Sequence, residues 1–109
     1  MSTITGYHAH VYFDATERER AHELCTQAGG ISGVTVGRMH DEPVGPHPRG
    51  SCQLTIGKEQ FTDVVSWLVL NRRGLTVFTH AQTGNALKDH TDHVIWLGPS
   101  ETLELSQFR

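Results

Sequence analysis

Apolar and polar residues alternate along several short stretches of the chain, which is the pattern of strands with one buried face. In residues 7–13, Ala9 and Val11 alternate with His8, His10 and Tyr12. Similar stretches follow at residues 33–39, 51–56 and 75–80; a shorter apolar run at 93–97 and a weak one at 102–105 are candidates for edge strands. The pattern predicts a sheet of four main strands with short additions at its edges.

Two other segments repeat apolar residues at helical spacing. The first follows a predicted capping box, Thr16-x-x-Glu19, and ends at Gly29-Gly30. The second begins near Lys58 and ends at Arg72-Arg73-Gly74. Each predicted helix has one apolar face and should pack against the sheet.

The order strand, helix, strand, strand, helix, strand predicts an α+β fold, the ferredoxin-like split βαβ sandwich. In this topology an antiparallel sheet carries both helices on one face, and the first strand lies between the third and the fourth. The other face is expected to be open. The strand periodicity places six side chains on it: His8, His10, Gln53, Thr55, Phe78 and His80. A chain of 109 residues is expected to form one domain, residues 1–109, around one core.

Charge and composition narrow the possible partners. Nine Lys and Arg against twelve Asp and Glu give a net charge of −3, and no run of basic residues exists, so nucleic acid is not an expected partner. The N-terminus has no basic and apolar leader, and no apolar run approaches the roughly 20 residues of a membrane span. Cys25 and Cys52 lie far apart among apolar residues and are expected to be reduced. These features predict a cytoplasmic protein without a membrane segment.

The eight histidines are the main candidates for chemistry. His8 and His10 leave the same strand face roughly 6.5 Å apart, and the fold brings His80 beside them. His47 lies in Gly45-Pro46-His47-Pro48 and is a fourth candidate, presented from a stiff loop or simply part of a proline-rich turn. Three converging imidazoles match either a catalytic zinc site or a non-haem iron site, and spacing alone does not distinguish them.

His90 and His93 share the segment Asp89-His90-Thr91-Asp92-His93. A spacing of three aligns them on one helical turn but on opposite faces of a strand. We expect at least one of them to face the site as an acid or base, because histidine titrates near neutral pH.

Several motifs together resemble the DOPA 4,5-dioxygenase family of small single-domain proteins from fungi and bacteria. In chain order they are Tyr-His-Ala-His-Val-Tyr-Phe at 7–13, Gly-Pro-His-Pro at 45–48, Trp67-Leu68 running into Arg73-Gly74-Leu75, Thr79-His80, Thr83-Gly84, Asp89-His90-Thr91 and Trp96-Leu97-Gly98. The resemblance covers nearly the whole chain. It implies a ferredoxin-like fold and metal-dependent extradiol cleavage of a catechol, with L-DOPA as the named substrate and O2 as the oxidant.

The resemblance also suggests roles for particular residues. Iron(II) is the expected metal, although zinc is a plausible occupant in purified protein, and the candidate ligands are His8, His10, His47 and His80. Arg38 and Arg49, at the two ends of the long loop, are candidates to hold a substrate carboxylate, and Tyr12 to pack against the aromatic ring. The family pattern carries Asp after Thr-Gly where this chain has Asn85, which disfavours a site of two histidines and one carboxylate.

The sequence is also compatible with two other functions. The chain is alternatively a non-catalytic metal-binding or dimerisation module, and a homodimer is expected in either case because Tyr12 and Phe78 lie on the open sheet face. An RNA-recognition module would need aromatic and basic residues where the third strand has Gln53 and Thr55. The sequence therefore favours the enzyme.

Overall fold

The computed structural model describes residues 3–109 and contains one antiparallel sheet of five strands. The strands are β1 (Gly6–Phe13), β2 (Val34–His40), β3 (Gly50–Gly57), β4 (Val77–Gln82) and β5 (Val94–Leu97), in the order β2-β3-β1-β4-β5. The main helices are α1 (Arg18–Ala28) and α2 (Phe61–Asn71), and a short helix, α3 (Ala86–Asp89), follows β4. The predicted α+β, ferredoxin-like fold is confirmed, with β5 added at the β4 edge.

The core lies between the sheet and the two long helices, as the alternation predicted. Val11 of β1 pairs with Cys52 of β3 and with Val77 of β4, so the apolar positions of three strands line up on one face. These positions are fully buried against apolar residues of α1 and α2, among them Leu24 and Leu68. Burial of such side chains contributes about 1.5–3 kcal/mol each, which explains why this face is specified so strongly.

The start of α1 differs from the prediction. The capping box is Asp14-x-x-Glu17, two residues before the predicted Thr16-x-x-Glu19: the Glu17 carboxylate accepts a hydrogen bond of 3.0 Å from the Asp14 backbone N–H. A turn of 3-10 helix over Ala15–Glu17 then leads into α1. Aspartate is as good an N-cap residue as threonine, so the sequence contained both signals.

Much of the second sheet face is covered, which corrects the expectation of an open face; His8, Gln53 and Thr55 on it are half-buried. Tyr12 and Phe78 on this face are both 0% exposed. Three segments lie over it: the loop at residues 41–49, α3, and the C-terminal segment, which we define as residues 98–109. The Glu104 N–H donates a hydrogen bond of 2.9 Å to the Pro46 carbonyl, so the C-terminal segment is fastened to the loop.

Two local predictions about these covering segments are also wrong. Residues 102–105, predicted as a weak edge strand, form no strand, and residues 81–92, predicted as a polar loop, contain α3. Among residues 3–109, no helix has both the length and the apolar character needed to cross a membrane.

Candidate metal centre

Strands β1 and β4 bring three imidazoles together on the covered sheet face. His8 lies directly opposite His80 in the antiparallel register, and His10 follows two residues along β1 on the same face. One ring nitrogen from each of these residues lies within 4.8 Å of the other two, and His10 Nε2 is 3.1 Å from His80 Nε2. This cluster of His8, His10 and His80 could bind a metal ion.

One nitrogen–nitrogen distance in the cluster matches the separation expected around a bound ion. Two nitrogens that each lie about 2.1 Å from one ion, at a right angle, are about 3 Å apart, which is close to the observed separation of His10 and His80. The Nδ1–H of His80 donates to the Ala81 carbonyl at 2.9 Å. Because a neutral imidazole carries one N–H, this bond leaves the lone pair of His80 on Nε2, the atom that faces His10.

Burial keeps these imidazoles neutral. Desolvation lowers the pKa of His80 to about 4. Desolvation also holds the pKa of His10 well below the ordinary 6.5, and the neighbouring imidazoles lower it further. Burial also lowers the pKa of His8. Around neutral pH the three lone pairs are therefore available to a metal without prior loss of a proton.

His47, the fourth predicted ligand, lies beside the cluster, and its nitrogens are not among those that converge. Its ring centroid is 4.1 Å from that of His10, and its Nδ1 is 2.7 Å from the Tyr12 hydroxyl oxygen. Burial lowers the pKa of His47 to about 4. Tyr12, predicted to contact substrate, lies beneath the loop and contacts His47 through its hydroxyl group.

A small cavity of about 220 Å³ opens beside the cluster. It is lined by His8, His80, Gln82, Gly84, Ala86, Asp89 and His90. A ligand in this cavity would contact two of the three clustered histidines. The cavity is therefore the place where a substrate could reach a bound metal.

His90 forms one wall of this cavity. Its ring centroid is 4.2 Å from that of His80 and 4.4 Å from that of Phe108, which stacks on its other side. Its Nδ1–H donates to the Ala86 carbonyl at 2.7 Å. Only Nε2 of His90 is then free to exchange a proton with a ligand.

His93, the other predicted acid or base, lies elsewhere. Its Nδ1 is 2.7 Å from Oδ1 of Asp89, and it lines a separate, more apolar groove with Tyr7 and Phe61. The structure thus brings His90 to the cluster and leaves His93 outside the cavity.

The acidic residue in the cavity wall, Asp89, is already engaged. Its two oxygens accept hydrogen bonds from the Thr83 N–H and hydroxyl, both 2.7 Å, in addition to the contact with His93. Burial alone would raise the pKa of Asp89, but these hydrogen bonds outweigh it and lower the pKa. Asn85 caps α3 by accepting a hydrogen bond of 3.1 Å from the Lys88 N–H. The side chains of Asp89 and Asn85 therefore stabilise the local backbone around α3 through hydrogen bonds.

The two predicted substrate-binding arginines lie away from the cavity. Arg49 pairs with Glu101 at 2.8 Å and with Glu17 at 3.1 Å. Arg38 is exposed on β2 and borders a groove formed by residues 38–42 and 44. Neither side chain lines the cavity beside the histidine cluster.

Three residues near the site were not predicted to act there. Gln53 Nε2 lies 3.5 Å from His8 Nε2, and Gln82 lines the cavity. Strand alternation places both on the histidine face, so their sequence positions could have identified them. Phe108 comes from the C-terminal segment, whose path over the sheet has no signal in strand or helix periodicity.

Two curated proteins are similar to this chain in sequence. The DOPA 4,5-dioxygenase of Amanita muscaria is 36% identical over 114 residues, which cover 96% of this chain and 50% of that protein. An uncharacterized 21.2 kDa protein of Botryotinia fuckeliana is 38% identical over 77 residues, covering 63% of this chain and 42% of that protein. The chain spans about half the length of the curated relatives it matches.

A solved structure and a family model complete the comparison. The crystal structure of a dioxygenase candidate from Nostoc punctiforme superposes with a TM-score of 0.89 at 45% identity, covering 92% of this chain and 87% of that one. The model of the Dopa 4,5-dioxygenase family matches residues 7–107. With a match over nearly its whole length, the chain belongs to the Dopa 4,5-dioxygenase family.

Proposed function

We propose that this chain is a metal-dependent extradiol dioxygenase that opens the ring of a catechol such as L-DOPA by 4,5-cleavage with O2. The observation that carries the proposal is the convergence of His8, His10 and His80 beside a cavity that His90 also lines. Membership of a family named for this reaction supports it.

The donor set suits the proposed metal. Iron(II) held by His8, His10 and His80 would supply neighbouring coordination positions for both catechol oxygens and for O2. A site with three protein ligands leaves those positions free, whereas a fourth protein ligand would remove one of them. The neutral state of the three imidazoles favours metal binding near neutral pH.

The cavity suits a single aromatic ring. Its volume of about 220 Å³ lies below the roughly 300–1,000 Å³ typical of pockets for drug-sized ligands. In our proposal the catechol enters here, and Nε2 of His90 takes a proton from one hydroxyl group and later returns it to an oxygen of the opened ring. The Nδ1–H bond to Ala86 fixes the orientation of His90 for this transfer.

Binding of the L-DOPA carboxylate stays a proposal for Arg38 rather than Arg49, although neither side chain lines the cavity beside the cluster. Among residues 3–109, Arg38 makes no ion pair, whereas the Arg49 guanidinium is shared between carboxylates of this chain. Replacing Arg38 by Ala should raise the KM for L-DOPA more than the KM for plain catechol, which has no carboxylate. Equal changes for the two substrates would contradict this role.

A homodimer remains part of the proposal on a different ground. The expectation that Tyr12 and Phe78 form an open surface for a second copy is wrong, since both side chains are buried within one chain. Val69 and Leu70 of α2 are 55% and 83% exposed, and in our proposal a second copy of the chain covers them. The cytoplasmic location stays a prediction.

Oxygen consumption by the iron(II)-loaded protein tests the proposal. Protein reconstituted anaerobically and then given L-DOPA and O2 should consume both in equal amounts and form a yellow ring-opened product, because both oxygen atoms enter the product. A guaiacol analogue, with one hydroxyl methylated, is the matched control and should not react, since it cannot chelate through two hydroxyl oxygens. If catechols do not react, or if the guaiacol reacts as fast, the proposal is wrong.

A further inference from the structure

The buried hydroxyl group of Tyr12 forms a hydrogen bond with His47. Tyr12 is 0% exposed, and within residues 3–109 the only hydrogen-bond partner of its hydroxyl group is Nδ1 of His47, at 2.7 Å. His47 itself is 8% exposed, and no carboxylate among these residues hydrogen-bonds to it. This pair is therefore a buried contact between a phenol and a neutral imidazole.

The direction of this hydrogen bond follows from counting donors. If Nδ1–H of His47 donated to Tyr12, the hydroxyl hydrogen would be buried without an acceptor, which carries a desolvation penalty. If the hydroxyl donates to Nδ1, both groups are satisfied. A neutral imidazole carries one N–H, so the proton of His47 then lies on Nε2.

We propose that Tyr12 is a positioning residue that holds His47 in its Nε2–H tautomer, so that His47 offers an N–H donor to an oxygen atom held at the histidine cluster. In this form His47 has no free lone pair and is not a metal ligand. The tautomer does not depend on the proposed reaction. Only the identity of the oxygen atom, from catechol or O2, rests on the proposed function.

The loop that carries His47 is held in place from several directions. The His47 backbone N–H donates to the Val44 carbonyl at 3.1 Å and closes a turn, in which Gly45 takes a φ of +54°. The Pro46 carbonyl accepts the hydrogen bond from Glu104 in the C-terminal segment. For His47 to become a ligand through Nε2, this hydrogen bond would have to reverse, so that Nδ1–H donates to Tyr12 and the hydroxyl hydrogen loses its acceptor. A fixed N–H donor needs no such change.

The tautomer can be read directly by 15N NMR of the imidazoles in the metal-free protein. In the parent, His47 should show the Nε2–H form, and in Tyr12→Phe it should shift toward a mixture or the Nδ1–H form. Tyr7→Phe, which removes a hydroxyl group on the opposite sheet face, is the control and should leave His47 unchanged. An Nδ1–H form in the parent, or no change in Tyr12→Phe, would overturn the proposal.

Metal binding gives a second, independent readout. Titration with cobalt(II) should give a Kd for His47→Ala within about threefold of the parent, whereas His80→Ala should lose binding. A rise of about tenfold or more for His47→Ala would identify His47 as a ligand and overturn the proposal. His47→Gln, whose side-chain N–H replaces Nε2–H, should retain more ring-cleavage activity than His47→Ala. If the loaded parent cleaves no catechol, the proposed function fails, yet the NMR and cobalt(II) results still decide the role of Tyr12.

Discussion

Replacing Arg49 by Ala should lower the free energy of unfolding by about 2 kcal/mol, because it leaves the partly buried Glu101 carboxylate without its ion-pair partner and leaves Glu17 with Arg20 alone. Arg49 binds Glu101 through two parallel hydrogen bonds, of 3.1 and 2.8 Å, and Glu17 at 3.1 Å. Through these contacts it joins the end of the long loop to the C-terminal segment and to the turn before α1. The loss should loosen the cover over the histidine cluster.

The magnitude follows from the exposure of these side chains. The side chains of this group are about one quarter exposed: Arg49 24%, Glu17 24% and Glu101 25%. Exposed ion pairs contribute about 0.2–1 kcal/mol, and disruption of a buried pair costs about 3–5 kcal/mol. A cost of about 2 kcal/mol lies between these two cases. For a chain of 109 residues, about 2 kcal/mol corresponds to a fall in Tm of about 8 °C.

Urea unfolding of two variants checks this expectation. Among residues 3–109, Arg73 pairs only with Glu23, at 3.0 Å, and both side chains are about half exposed. Arg73→Ala is therefore the matched control and should change stability by less than about 0.5 kcal/mol. Equal urea midpoints for Arg49→Ala and Arg73→Ala would refute the structural role. A stable Arg49→Ala that loses activity on L-DOPA but not on catechol would instead restore its predicted role as a carboxylate clamp.

Three further predictions concern protonation, catalysis and assembly. The metal-free protein should lose stability as pH falls from about 6.5 to about 4. In this range His47 and His80 take up protons in the unfolded chain, whereas burial keeps their pKa near 4 in the folded chain. Equal urea midpoints at about pH 7 and 4.5 would contradict this prediction. His90→Gln should slow ring cleavage at least about tenfold with iron content unchanged, whereas His93→Gln, outside the cavity, should stay within about threefold; the reverse order would exchange their roles. Sedimentation at micromolar concentration should show no 12.1 kDa monomer, and a clean monomer would exclude the homodimer.

The sequence predicted the histidine cluster because two simple rules determine it. A period of two places His8 and His10 on one face of β1, and the ferredoxin-like topology pairs β1 with β4, so that His80 lies opposite His8. Neither rule depends on side-chain detail. Strand period and fold topology are therefore enough to predict the histidine cluster from the sequence.

The covering segments could not be predicted in this way. Residues 102–105 alternate like a strand, but the alternation reflects an extended segment packed over the sheet without strand pairing. The burial of Tyr12 and the ion pairs of Arg49 both depend on where the long loop and the C-terminal segment cross the sheet. Those paths arise from tertiary contacts between distant residues, such as Glu104 with Pro46, which leave no periodic signal.

Equilibrium binding of iron(II) under anaerobic conditions tests the proposed metal centre most directly. The parent should bind one equivalent, and His80→Ala should not retain it, because its loss removes one of three converging nitrogens. His22→Ala, an exposed histidine of α1, is the control and should bind like the parent. If folded His80→Ala binds iron(II) as tightly as the parent and His22→Ala, the three-histidine centre is wrong.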